Sequence, residues 1–188
     1  MVHEPSRGKI LVANFILKTF LRPTYSRFVK DLDLTGNENV MDFGSGPGVM
    51  SRMVALRLGK GHLTCVDASR NWIEVAKRNL SGLQNVEFRL GRISDIAFPS
   101  PFDVIVVHYV LHEVPRGQRE STVKALVSNL KSDGRLVIRE PTREPYHGMP
   151  STEFKELMIS AGLVETSGHS RRSHTTGVYR FPRANDRG

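Results

Sequence analysis

The sequence predicts an α/β protein with a doubly wound, mostly parallel sheet covered by helices on both faces. Three observations carry that prediction. From residue 39 onward, apolar runs of strand length alternate with stretches of helical period, the order that builds parallel sheets. One run, residues 102–107, is nearly all apolar, as expected of a strand buried on both faces. The glycine turn of Gly44, Gly46 and Gly48, Asp67, the Gly91 turn and His108 are placed alike. All fall at the C-terminal ends of predicted strands, where such sheets bind ligands.

The elements follow in order. Ile10, Ala13, Leu17 and Phe20 recur at helical spacing, Pro23 interrupts, and Tyr25, Phe28, Val29 and Leu32 form a second apolar stripe. Residues 1–34 are therefore expected to form a two-helix extension, either a lid over a small substrate or core helices. Gly36-Asn37 marks a loop. Residues 39–43 read as a strand, 49–58 as a helix, and 63–66 as a strand that ends on Asp67. Residues 69–80 read as a helix with Ile73, Ala76 and Leu80 on one face, and 86–90 and 102–107 as the third and fourth strands. In residues 121–130, Val123, Leu126, Val127 and Leu130 fall at i, i+3, i+4 and i+7 and predict a helix. Ser132-Asp133-Gly134 reads as a turn before a fifth strand at 135–139. Ser151 is the expected N-cap of a helix with Phe154, Leu157, Met158 and Ala161 on its inner face, closed by Gly162. Residues 163–166 and 175–181 predict an antiparallel hairpin at the sheet edge. The core is thus expected to span 35–182, with 183–188 as a flexible tail.

Composition bounds the function. The 188 residues suffice for one domain of ordinary size. A single cysteine, Cys65, excludes an internal disulfide and a cysteine-based zinc site, and it fits a reducing compartment. Arg7 and Lys9 precede an apolar run, but Lys18 closes it without a cleavage site. No run approaches the ~20 apolar residues of a membrane span. A soluble, cytoplasmic protein without a metal centre is expected. The net charge is +8, with Arg171, Arg172, Arg180, Arg183 and Arg187 near the C-terminus. No aromatic stacking pattern accompanies these arginines, so a solvated basic tail is expected ahead of a nucleic-acid surface.

The densest signal is Val40-Met-Asp-Phe-Gly-Ser-Gly-Pro-Gly48, followed by a strand that ends on Asp67. Closely spaced glycines let the backbone pass near a ligand, and a strand-end carboxylate can take both hydroxyls of a ribose. A phosphate-gripping loop requires Gly-x-x-x-x-Gly-Lys-Ser/Thr, and no Lys-Ser/Thr follows here. A dinucleotide fingerprint requires its third glycine where Val49 stands.

Taken jointly, these motifs resemble the class I S-adenosylmethionine-dependent methyltransferases over about residues 35–182. Asp42-Phe-Gly-Ser-Gly-Pro-Gly48 is similar to their first motif, Asp67 to their strand-two acid, and Phe102-Asp-Val-Ile-Val-Val-His108 with Leu111-His112-Glu113-Val114 to their strand four and the loop after it. Leu130-Lys-Ser-Asp-Gly-Arg-Leu-Val-Ile138 is similar to their turn and fifth strand. The His112-Glu113 variant is most similar to the small-molecule branch that includes quinone-biosynthesis methyltransferases. The resemblance implies a Rossmann-like, seven-stranded sheet in the order 3-2-1-4-5-7-6 and S-adenosylmethionine as cofactor. It implies that Gly44, Gly46 and Gly48 make room for the cofactor, that Asp42 holds its amino group and that Asp67 takes the ribose hydroxyls. Ala68 or Ser69 would flank the adenine, Ile93 would sit under it, and His108 would line the methionine end. One departure stands out: the family often places Asp after the glycine that follows strand three, whereas this chain has Gly91-Arg92-Ile93. Arginine has only donors, so the adenine amine would need a backbone carbonyl or Asp95.

Transfer from a sulfonium mainly requires positioning, and a base only where the acceptor carries a proton. His112, Glu113 and His147 are the candidate catalytic residues, with Tyr146 nearby. The Asp/Asn-Pro-Pro-Tyr/Phe of nucleic-acid amino methylation is absent: the position after strand four reads His108-Tyr-Val-Leu. A small, apolar-tolerant acceptor is therefore expected. An RNA or protein acceptor and a non-catalytic binding module remain the alternatives.

Overall fold

A computed structural model describes residues 4, 8, 22–142, 148–171 and 173–184. The helix expected around residues 10–20, and Tyr146, His147, Arg172 and the tail from 185, lie outside them. In order, the elements are α1 (Arg22–Asp31), β1 (Asn39–Phe43), α2 (Val49–Ala55), β2 (His62–Asp67), α3 (Arg70–Asn79) and β3 (Val86–Leu90). They continue with β4 (Phe102–His108), α4 (Arg116–Val127), β5 (Leu130–Pro141), α5 (Ser151–Ser160), β6 (Val164–Ser170) and β7 (His174–Arg180). Single 3₁₀ turns occupy Ile93–Asp95 and Leu111–Glu113. The seven strands form one mixed sheet in the order β3-β2-β1-β4-β5-β7-β6, the order the resemblance implied. The chain divides into two compact units, residues 1–96 and 97–188.

In the first unit β1 pairs parallel with β2, and β2 with β3. Val40, Met41, Leu63, Cys65 and Val66 are fully buried, each large apolar side chain contributing roughly 1.5–3 kcal/mol. The apolar stripe on α3 is real: Ile73, Val75 and Ala76 are buried. Ser69 caps this helix, its hydroxyl accepting from the Trp72 amide. Pro23 is the second residue of the described helix α1. Phe28, Val29 and Leu32 are buried, and α1 packs on α2.

In the second unit β4 pairs parallel with β5, while β5–β7 and β7–β6 are antiparallel, so the expected edge hairpin is present. Val104 to Val107 are all fully buried. Three local expectations are corrected here. Ser132-Asp133-Gly134 is not a turn before the strand but lies within β5, where the register passes from Phe102↔Leu130 directly to Val104↔Arg135. The tripeptide is a bulge, and Gly134 fits because an added Cβ would lie 2.9 Å from the Phe102 carbonyl. Helix α4 starts at Arg116, after Pro115, and ends at Val127, so Leu130 is a strand residue. Its first turn is polar and carries no stripe, which hides the start. Ser151 is the first helical residue of α5, the cap position being Pro150. At the other end Gly162 has φ +85°, and the Leu163 and Gly162 amides bond back to Met158 and Ile159, a Schellman closure.

Candidate functional site

The first unit brings the glycine turn and Asp67 together. Gly44, Gly46 and Gly48 all have positive φ, at 73°, 51° and 73°. The turn folds back on β2, with the Gly44 and Ser45 amides donating to the Val66 carbonyl at 2.8 and 3.1 Å. The three glycines do not do the same work. A Cβ on Gly46 would meet nothing within 4 Å, so the turn is open there, whereas a Cβ on Gly48 would run into Leu80 and Ala76 of the neighbouring segment. Gly48 is thus required by the packing of α2 against α3.

Asp67 ends β2 with both oxygens engaged. Oδ2 accepts the Gly46 amide and Oδ1 the Ser69 amide, each at 2.8 Å. Burial pushes its carboxyl above the usual range, and the amides of Ser69, Gly46 and Ala68 oppose that shift. Asp42 is 1% exposed, and the Ser51 hydroxyl donates to it at 2.6 Å. Burial dominates here too and pushes its carboxyl up to about 7, with Asp67 adding to the rise. Ser45 lies in the turn with its hydroxyl buried and no hydrogen-bond partner among the described residues. Glu4 reaches the N-terminus of α3, accepting from the Ser69 hydroxyl at 2.7 Å and the Arg70 amide at 2.9 Å.

Ala68 follows Asp67 directly, and Ile93 is buried in its 3₁₀ turn after β3. The Gly91 amide donates to the Asp67 carbonyl at 3.0 Å, tying that turn to the end of β2. Arg92 caps the 3₁₀ turn through its backbone, and Asp95 accepts from the Ser94 hydroxyl at 2.8 Å. Neither Ser45 nor Ser51 was singled out by the sequence, since an isolated serine carries no periodic signal.

The second unit holds His108, His112 and Glu113. His108 ends β4 and is buried, and burial, reinforced by Arg139 and His174, pushes its imidazole down to about 3. Burial thus favours the neutral imidazole. Tyr109 follows with φ +60°, rare for a bulky residue, its ring 4.4 Å from that of His108. That left-handed residue turns the chain so that the next three amides converge on Glu140 of β5. Glu140 is fully buried. Its Oε1 accepts the Val110 and Leu111 amides at 3.0 and 2.8 Å, while Oε2 lies 3.4 Å from the His112 amide and 2.7 Å from His112 Nδ1.

Arg119 of α4 secures the other side of this turn. Its Nη2 donates to the His112 carbonyl at 3.0 Å and its Nε to the Val114 carbonyl at 3.0 Å, while Nη1 pairs with Glu153 of α5 at 2.7 Å. His112 is 12% exposed at its side chain, and its Nε2 lies 4.0 Å from Oε1 of Glu113, which is 77% exposed. The imidazole is therefore gripped at Nδ1 and faces outward at Nε2. Glu140 is the residue that sequence reasoning missed. The signal was present, because Leu136-Val-Ile-Arg-Glu140 is an apolar strand ending on an acid, like those of Asp42 and Asp67.

A model of a family described as "Methyltransferase domain" matches residues 34–172. An uncharacterized methyltransferase of Staphylococcus carnosus is 28% identical over 136 residues, covering 72% of this chain and 59% of the relative. A demethylmenaquinone methyltransferase of Tropheryma whipplei is 36% identical over 112 residues, covering 59% of this chain and 45% of the relative. The chain thus spans roughly half the length of these relatives. Among solved structures, a SAM-dependent methyltransferase from Aquifex aeolicus superposes with a TM-score of 0.77 at 20% identity, covering 94% of this chain and 98% of the other. The N-methyltransferase NodS from Bradyrhizobium japonicum, in complex with S-adenosyl-L-homocysteine, gives a TM-score of 0.72 at 18% identity, covering 88% and 89%. Among the described residues, no helix is long and apolar enough to cross a membrane.

Proposed function

The chain belongs to the methyltransferase-domain family, and on that premise we propose that it transfers a methyl group from S-adenosylmethionine to a small-molecule acceptor. The observation that carries this reading is Asp67, held at the tip of β2 by the Gly46 and Ser69 amides beside an open, left-handed glycine turn. The chain's own residues suit the cofactor. An ionised carboxylate offers about four acceptor positions, so Asp67 keeps capacity for ribose hydroxyls beyond its two short amide bonds. The turn is unobstructed at Gly46, and the buried Ser45 hydroxyl there lacks a partner among the described residues.

The cofactor, when bound, supplies a methyl carbon already activated by its sulfonium. Gly44 and Gly46 give it room, and Gly48 sets the helix beneath. Asp42 takes its amino group, Ala68 and Ile93 bound its adenine, and neutral His108 lines the methionine portion. With Arg92 a donor only, the adenine amine is left to Asp95 or a backbone carbonyl. Relatives such as the demethylmenaquinone methyltransferases, and the absence of an Asp/Asn-Pro-Pro-Tyr/Phe run after β4, support a small and partly apolar acceptor. In this reading residues 1–34 are an extension of the catalytic core, and the enzyme works in the cytoplasm, where a free buried Cys65 is at home. Calorimetric titration with S-adenosylmethionine tests it. Saturable binding is expected, and no heat at millimolar cofactor would sink it.

A further inference from the structure

Strand pairing gathers basic side chains on one face of the second unit. Register aligns His108 of β4 with Arg139 of β5, Arg139 with Thr176 of β7, and Thr176 with His169 of β6. Residues directly opposite in a ladder share a face, and so do residues two apart along a strand. His174, two residues before Thr176, therefore joins this row. Arg171, two residues after His169, lies opposite His174, its amide donating to the His174 carbonyl at 2.8 Å. The rings agree with the register: the His169 and His174 centroids are 6.4 Å apart, and those of His174 and Tyr109 are 6.5 Å apart.

We propose that Arg139, His169, Arg171 and His174 form a binding site for a small oxyanion, the carboxylate or phosphate group of a ligand. All four residues belong to the second unit, and the site stands apart from the methyl-transfer reading.

The electrostatics of the row call for an anion. Among the described residues, no carboxylate forms an ion pair with His169, Arg171 or His174. The acids of the same strands are engaged elsewhere: Glu140 accepts from the turn after β4, and Glu165 pairs with Lys155 at 2.9 Å. His174 is pushed below the usual histidine range, by burial first and then by Arg139 of β5, His169 of β6 and Arg171 of the hairpin turn. Arg139 and His174 act in the same direction on His108 of β4. A bound anion offsets this mutual repulsion and favours the imidazolium forms.

The donors are also arranged in advance. Arg139 is 4% exposed, and its Nε donates to the Thr176 hydroxyl at 2.8 Å, which fixes the guanidinium before any ligand arrives. Guanidinium and imidazolium groups only donate, so the row matches an acceptor-only group. His169 and Arg171 are exposed and His174 is half-buried, so the row is open to solvent. Charge-assisted bonds run at about 2.7–2.9 Å, so one oxyanion can bridge rings spaced as His169 and His174 are. These donors surround a point rather than track a line, and no series of stacking aromatics accompanies them, which favours a single oxyanion over a nucleic-acid backbone. Among the described residues, no group of His, Cys, Asp or Glu side chains could hold a metal ion.

The test is a titration of the full chain, labelled with ¹⁵N-histidine, with sodium sulfate and separately with sodium acetate. Chloride holds the ionic strength constant, and both titrations are run at pH 6 and pH 8, a range in which neither probe changes charge. The His169 and His174 resonances should shift saturably, with tighter binding at pH 6, where imidazolium forms more readily. Arg171→Gln removes an exposed side chain and leaves the fold intact. It and His174→Gln should each weaken binding about tenfold, as expected for one charge-assisted hydrogen bond. Arg27→Gln, the same charge change on the exposed face of α1, should leave binding unchanged. A preference for sulfate marks a phosphate-bearing ligand and a preference for acetate a carboxylate, and either supports the site.

A shift that never saturates, unchanged affinity in Arg171→Gln, or equal weakening in Arg27→Gln would overturn it. So would an RNA oligonucleotide that moves these resonances when neither sulfate nor acetate does, since the surface would then serve a polyanion. Cofactor titration reads the first unit separately, so failure here leaves the methyl-transfer reading standing.

Discussion

In residues 1–96, Asp67 ends β2 and accepts one short amide bond from the glycine turn and one from its own strand–helix junction. In residues 97–188, Glu140 near the end of β5 accepts from three amides and an imidazole. Both are strand-end acids in the same kind of sheet, but their donor sets differ. The donors that Glu140 accepts come from Val110, Leu111 and His112 of the turn after β4. Asp67 retains acceptor capacity, the property of a ligand-binding carboxylate. Asp42, fully buried with the Ser51 hydroxyl as its short donor, lies at a third point: its compensation is poor and its carboxyl is pushed up to about 7. The three acids thus differ in how far internal donors compensate their burial.

The largest expected effect probes the bracing side. Glu140→Ala orphans the Val110, Leu111 and His112 amides and Nδ1 at once, at about 1–3 kcal/mol for each donor left buried. A loss of several kcal/mol in urea unfolding is expected, and a loss below about 1 kcal/mol would break the distinction from Asp67. Asp42→Asn is next. The folded pKa of Asp42 lies above its unfolded value, so between about pH 4 and 7 the native state holds more proton than the unfolded chain. That contribution to stability is present below pH 4 and is lost as pH rises to about 7. Asp42→Asn should lack the loss, gaining on wild type by about 1.4 kcal/mol per pH unit of the shift. Unfolding curves at pH 5 and pH 8 check it, and an equal difference at both would contradict it.

A smaller effect separates two glycines of one turn. Gly48→Ala combines a left-handed φ with a clash on Leu80 and Ala76, so about 2–3 kcal/mol of stability should be lost. Gly46→Ala meets open space and should cost about 1 kcal/mol of stability, but it places a methyl group in the proposed cofactor channel. Thermal unfolding with and without cofactor separates the two. Gly46→Ala, not Gly48→Ala, should lose more in binding than in stability.

Much of this was legible in the sequence, and the failures have physical causes. Strands β1 to β4 are bounded by loop residues, so their limits could be read to within a residue or so. Asp42 and Asp67 announced themselves as acids closing apolar runs. Ser132-Asp133-Gly134 carries turn chemistry, yet pairing with β4 absorbs it as a bulge, and that pairing is non-local. The start of α4 was hidden because its anchor is Arg119, which acts through hydrogen bonds rather than an apolar stripe. Glu140 carried the same signal as Asp67 but stood before Pro141 and a polar run that reads as loop. Its role appears only with His112, 28 residues earlier in the chain.

In the proposed function Asp67 binds the nucleoside and Glu140 does not. Titration of S-adenosylmethionine into wild type, Asp67→Ala and Glu140→Gln tests it most directly. Wild type should bind, Asp67→Ala should bind more weakly by about 1–3 kcal/mol, the loss of a charge-assisted acceptor, and Glu140→Gln should retain binding. Unchanged affinity in Asp67→Ala, or its collapse in Glu140→Gln alone, would contradict the account.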